Sequence, residues 1–166
     1  MKKLIAFEAL EPATAAAFPP NERVVSHLRE HASPQPEGAE PPWAVGGFGV
    51  AVHPDLVKRL ADIGTAIELP LRFLYGVPVL VASNGVVVAA ASGIREIRVR
   101  LAADQIAPAL LAGDGADGAF GDGWSRISAW PVEIPATEGL PAVAAVVRVA
   151  SQAASPQRVR RRRRRT

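Results

Sequence analysis

The chain contains no cysteine. Disulfides, thiolate zinc centres and cysteine nucleophiles are therefore excluded, and the absence fits a reducing compartment such as the cytoplasm. Aromatic residues are scarce, at 5%, and there is a single methionine. The core must be assembled chiefly from small and branched aliphatic side chains. No long uninterrupted apolar run exists either. The most apolar stretch, residues 77–91, is broken at Ser83, Asn84 and Gly85, whereas a spanning helix needs about 20 apolar residues in a row. At the N-terminus, Glu8 and Glu11 fall where a secretion signal would need its apolar centre. The expectation is a cytoplasmic protein without a membrane span.

What is present suffices for one folded domain. Hydrophobic residues make up 49% of 166, within the globular range, and the length suits a single unit. The net charge of +3 hides an asymmetry. Residues 1–157 carry twelve basic and sixteen acidic side chains, a net −4, and are followed by Arg158, Arg160, Arg161, Arg162, Arg163, Arg164 and Arg165. A mildly acidic body bearing a strongly basic tail points to an interaction tail rather than a basic fold.

Composition divides the chain in three. Residues 1–42 read as a Pro/Ala-rich leader, largely flexible, with one short helix over residues 22–31 that Asn21 caps and Val24, Val25 and Leu28 stripe. Its last part, 32–42, holds four prolines and reads as a linker. Residues 43–153 form the domain, and 154–166 a disordered arginine-rich tail.

Within the domain, Pro54 and Asp55 suit the first turn of a helix continued by Leu56, Val57, Leu60 and Ile63, with Gly64 as its stop. Strands are expected over residues 69–75 and 77–82, punctuated by Gly76. Asn84-Gly85 signals a type I′ hairpin turn before a returning strand over 86–91. The alternation of Ile97, Val99 and Leu101 with Glu96, Arg98 and Arg100 marks a strand with one buried face. Pro78 argues for an edge strand. Asp104 is expected to cap a helix reaching Leu111, and residues 113–123 to form a glycine-rich loop. Trp124, Ile127 and Trp130 accompany a last strand closed by Pro131, and residues 138–153 make a final helix. The order predicts an α+β fold, an antiparallel β-meander with helices packed on one face.

The stretch LRFLYGVPVLVASNGVVVAAASGIREIRVRLAADQIAPALLAG, followed by GDGWSRISAW and a terminal helix, resembles the small bacterial TfoX N-terminal and YjbR (MmcQ)-like domains. The similarity spans about residues 54–153, from the leading helix through Tyr75-Gly76 and Gly123-Trp124 to the closing helix. The resemblance implies a compact α+β fold and a non-enzymatic bacterial role in DNA binding or competence regulation.

The candidate chemistry is thin. The seven tail arginines neutralise phosphates by counterion release, or meet an anionic membrane surface, or stand solvated. Arg98 and Arg100, with Arg95, form a basic strand face able to meet phosphates. Asp114, Asp117 and Asp122 lack the spacing of a calcium loop. His27 and His31 stand one helical turn apart without a His-Glu-x-x-His pattern, and His53 suits a helix N-terminus. No Gly-x-Ser-x-Gly elbow occurs, and Gly46-Gly47-Phe48-Gly49 lacks the lysine of a phosphate loop. Trp43, Trp124 and Trp130 either stack bases or pack inside. No catalytic residue, metal or cofactor is assigned. The leading expectation is a non-enzymatic accessory domain that binds nucleic acid through the tail. A protein-interaction module on the sheet face or a Trp-lined surface, with a protein partner or as a homodimer, is the alternative. A small-molecule-binding or enzymatic domain, with a pocket near Tyr75, Trp124 and Trp130, is the third.

Overall fold

The computed structural model describes residues 8–31, 43–45, 48–50 and 52–154. It has an α+β architecture. The leader contributes β1 (Glu8–Ala9), α1 (Pro12–Ala16), a 3-10 turn (Pro19–Asn21) and α2 (Glu22–His31). A two-stranded hairpin of β2 (Trp43–Val45) and β3 (Phe48–Val50) precedes α3 (Pro54–Ile67). Then come β4 (Leu71–Leu74), β5 (Val77–Val81), β6 (Val87–Ser92), β7 (Glu96–Val99), β8 (Leu111–Ala116), β9 (Ser125–Ser128) and α4 (Ala136–Ala154). The main sheet runs β1-β4-β5-β6-β7-β9-β8, antiparallel throughout except for the parallel pair β1 and β4.

The expected meander, β4 to β7, is therefore present. Its helices, however, lie on both faces rather than one. On the first face, Leu56, Leu60 and Ile63 of α3 and Val143 and Val147 of α4 pack on Phe73, Leu80, Ile97 and Ile127. On the second, Leu10, Ala15, Val24, Val25 and Leu28 cover Leu74, Val77, Val79, Val81 and Val87, with Phe120 and Trp124 extending the layer. The reason is in the strands. Every residue of β5 is buried, so its apolar side chains point both ways and each face needs a cover. Residues 8–31 supply the second cover and belong to the packed body. The bulge at Val88, where Leu80 pairs with Ala89 and Val81 with Val87, lets Val88 and Ala89 both face the first layer.

Several local expectations are corrected. The type I′ turn lies at Tyr75-Gly76, where φ is 51° and 76° and Leu74 pairs with Val77. At Asn84-Gly85 only Gly85 has positive φ, and Ala82 N–H donates to Val86 O at 2.8 Å, so this is a three-residue loop closed by a left-handed glycine. Pro78 lies in β5, an interior strand. The ladder to β6 begins at Val79, so the missing N–H falls outside that register. Gly64 does not end α3. It is buried inside the helix, and Glu68 takes the left-handed cap position with φ 61°. The helix expected after Asp104 is replaced by two 3-10 turns, Ala103–Gln105 and Pro108–Leu110. Pro108 forces Ala107 into an extended conformation (ψ 130°), which breaks the helical run. Part of the expected glycine-rich loop is then β8.

Candidate functional site

Strand β9 ends at Ser128, Ala129 is buried, and the chain emerges at Trp130. Two contacts fix this exit. Ala129 N–H donates to Arg95 O at 2.8 Å, and Arg59 Nε, from α3, donates to Ala129 O at 2.8 Å. The Arg59 guanidinium thereby sits 5.7 Å from the Trp130 ring centroid, in cation–π range. Burial lowers the Arg59 pKa, and neighbouring Asp62 partly offsets this. The arginine nonetheless stays charged, because its ordinary value lies so far above neutrality.

Trp130 remains 39% exposed, Ile94 63% and Val132 92%. Three open clefts, of about 310, 490 and 300 Å³, share Trp130 as a wall. Exposed Arg95 lines two of them. Glu96 is engaged by Arg126 at 3.3 Å. A tryptophan with apolar neighbours and arginines at its rim has the composition of a protein-contact hot spot.

Of the residues singled out from the sequence, Trp130 and Arg95 lie at this surface, and the others among the described residues fall elsewhere. Arg98 Nη1 donates to Asp117 Oδ1 at 2.7 Å, with its guanidinium 5.0 Å from the Phe120 centroid. Arg100 donates to Val87 O and Pro20 O at 2.8 and 2.9 Å and lies 4.6 Å from the Trp124 centroid. Burial lowers its pKa. Both arginines clamp the leader and the 117–124 segment onto the sheet, so neither presents an open phosphate-facing fork. Arg158 and Arg160 to Arg165 lie outside the described residues.

Asp114 and Asp117 pair with Arg126 and Arg98. Among the described residues no cluster of three or more His, Asp or Glu is placed to hold a metal. His53 Nδ1 accepts from Asp55 N at 3.1 Å, the helix-start role expected for it. His27 packs edge-on against Phe120. Tyr75 and Trp124 belong to the second core layer, whereas Trp130 stands beside α3, so these three aromatics share no pocket. Sequence reasoning missed Arg59, Ile94 and Val132. The only signal was Trp130-Pro131-Val132 directly after a strand, where an apolar triplet has nowhere obvious to go.

Neither a family model, nor a curated protein, nor a solved structure matches the chain. No helix among the described residues is long and apolar enough to cross a membrane. What the fold and surface define is a two-layer-covered α+β domain with an exposed tryptophan at one end of its long helix.

Proposed function

We propose that the chain is a non-enzymatic interaction module whose contact surface is centred on Trp130. The observation that carries this reading is the convergence of three clefts on one exposed tryptophan, flanked by Ile94 and Val132. Burying a large aromatic with its apolar neighbours is what an interface core does. In this reading the protein is a bacterial, cytoplasmic accessory domain of the TfoX/YjbR-like group. That affiliation rests on the sequence resemblance over residues 54–153, whose capped helix after Asp104 is here two 3-10 turns. The test is affinity capture from cells that carry the gene, with cross-linking, using wild type and Trp130→Ala/Val132→Asp. The expected result is a specific protein, or a second copy, cross-linked next to residues 94–95 and 130–132 and lost in the variant. An identical partner set from both proteins sinks the reading.

A second reading is favoured by one observation, the seven arginines at 158 and 160–165. They follow the C-terminal end of α4, where Asn84 Nδ2 donates to Ala154 O at 2.8 Å. One of the Trp130 clefts includes Ala136, at the other end of the same helix, roughly 27 Å away at 1.5 Å per residue. Tail binding to nucleic acid is thus separable from the Trp130 contact. If all seven engage single-stranded nucleic acid, log K falls with log salt at a slope of about −5. A gel shift with and without residues 158–166, at two salt concentrations, decides it. No retardation of the full chain at low salt removes this reading.

A further inference from the structure

We propose that the cleft between the leader and the turn end of the sheet binds a small amphipathic carboxylate, with its apolar body inside and its carboxylate on Arg72. This cleft encloses about 450 Å³, within the range of small-ligand sites. Leu10, Ala15 and Phe18 form its leader wall, and Leu69, Val81 and Ala82 its sheet wall. Phe18 is held in place: its ring lies so close over Gly85 that a Cβ there would fall 2.5 Å from it.

Among the described residues Arg72 is the only basic one on the lining. It differs from the other described arginines of the sheet. Arg98, Arg100 and Arg126 each donate to an acceptor within 3.3 Å. Among the described residues the Arg72 guanidinium makes no hydrogen bond. Its Nη2 stands 3.8 Å from Glu8 Oε2, and its Nε is buried without an acceptor. The pair with Glu8 is partly exposed on both sides and therefore weak. Because Nε is shielded from solvent, an incoming ligand meets the outer nitrogens. These present paired donors that match a carboxylate. A ligand carboxylate gains Arg72 by displacing the exposed Glu8, which stands 3.8 Å away without a hydrogen bond, a one-for-one exchange of monoanions, whereas a phosphate dianion would bring a second charge that no basic residue of the described lining balances. The apolar walls supply the affinity, and Arg72 supplies the choice of headgroup.

The site lies at the end of the sheet opposite Trp130, so it stands or falls apart from the interaction surface. The test titrates the full ¹⁵N-labelled chain with hexanoate, octanoate and octanol, following amide shifts. Octanoate is expected to saturate shifts at residues 15, 69 and 81–85. Burial of about 0.8 kcal/mol per methylene makes it roughly fifteenfold tighter than hexanoate. Arg72→Gln, checked for an unchanged dispersed spectrum, is expected to weaken octanoate at least about fivefold and leave octanol unchanged, since a charge-assisted pair contributes more than a neutral hydrogen bond. Thr14→Trp, filling the mouth from an exposed position, is expected to abolish both. Shifts that do not saturate, or shifts scattered away from these residues, overturn the site. Equal loss of octanoate and octanol in Arg72→Gln, or loss of neither, overturns the role of Arg72.

Discussion

Asn21 and Val87 are joined across the second face of the sheet: Asn21 Oδ1 accepts the Val87 N–H at 2.7 Å. The same fully buried amide donates to Gly85 O at 2.9 Å and to Ala15 O at 3.0 Å. The residue stands at the start of α2, where a capping role is expected, yet its side chain turns away from the helix. It binds the leader to β6 instead. Asn21→Ala leaves the buried Val87 N–H and the part-buried Gly85 carbonyl without these partners. Each such group costs about 1–3 kcal/mol. The expected loss is about 2–4 kcal/mol in urea unfolding, a large share of a typical domain's stability. A loss below about 0.5 kcal/mol would mean that the leader does not depend on this contact.

Gly64 shows packing overriding helix propensity. In an exposed helix interior, glycine to alanine stabilises by about 1 kcal/mol. Here a Cβ would meet Leu69 O at 2.6 Å and Leu80 Cδ2 at 2.9 Å. The oxygen is backbone, and Leu69 also donates its N–H to Gly64 O at 2.8 Å, so neither group can yield cheaply. Overpacking costs about 1–3 kcal/mol. Gly64→Ala is expected to lower the thermal midpoint, and a raised midpoint would contradict the close approach of α3 to β5.

The Arg98–Asp117 pair predicts a stability phenotype rather than a binding one. The Asp117 side chain is 1% exposed, and its Oδ2 has no hydrogen-bond partner among the described residues. Arg98→Met strands a buried carboxylate, at a cost of about 3 kcal/mol or more. Adding Asp117→Asn removes the charge while keeping an oxygen for the Ala119 N–H, which donates to Asp117 Oδ1 at 3.1 Å. The double variant is expected to recover roughly half of the loss or more, a coupling that a double-mutant cycle measures. Equal losses in the single and double variants would show that the ion pair is not what holds residues 117–124 down.

Asp114 carries the pH dependence that the structure resolves. The Ala116 N–H and the Arg126 guanidinium, donating at 3.0 and 3.2 Å, hold its carboxyl below the ordinary aspartate range. A depressed native pKa means that the unfolded chain binds the proton first. The contribution is therefore complete above about pH 4, the unfolded value, and fades as pH falls through the native one. The group is fully exposed, so the effect on stability is small. The sharper readout is carboxyl NMR, where Asp114 is expected to titrate below a model aspartate and Asp114→Asn to remove that titration. A midpoint at or above the model value would exclude the two hydrogen bonds in solution.

The sequence alone determined whatever depends on near neighbours in the chain. The helix at residues 22–31, the Pro54-Asp55 helix start with His53 before it, the alternation at Ile97, Val99 and Leu101, and the closing helix are local patterns of capping and periodicity, and all four are found. Decisions that weigh one segment against another required the fold. Gly64 reads as a stop until Leu69 and Leu80 are seen beside it. Tyr75 is an unpromising turn residue until the pairing of Leu74 with Val77 demands positive φ there. Arg98 and Arg100 look like an open basic face until Asp117, Val87 and Pro20 meet their guanidinium groups. The Trp130 surface was legible only in Trp130 and Arg95 for the same reason: its pieces come from residues 59, 94–95 and 130–132, which only the folded chain brings together. Hydrogen bonding and burial act through space, and for these residues space and sequence order diverge.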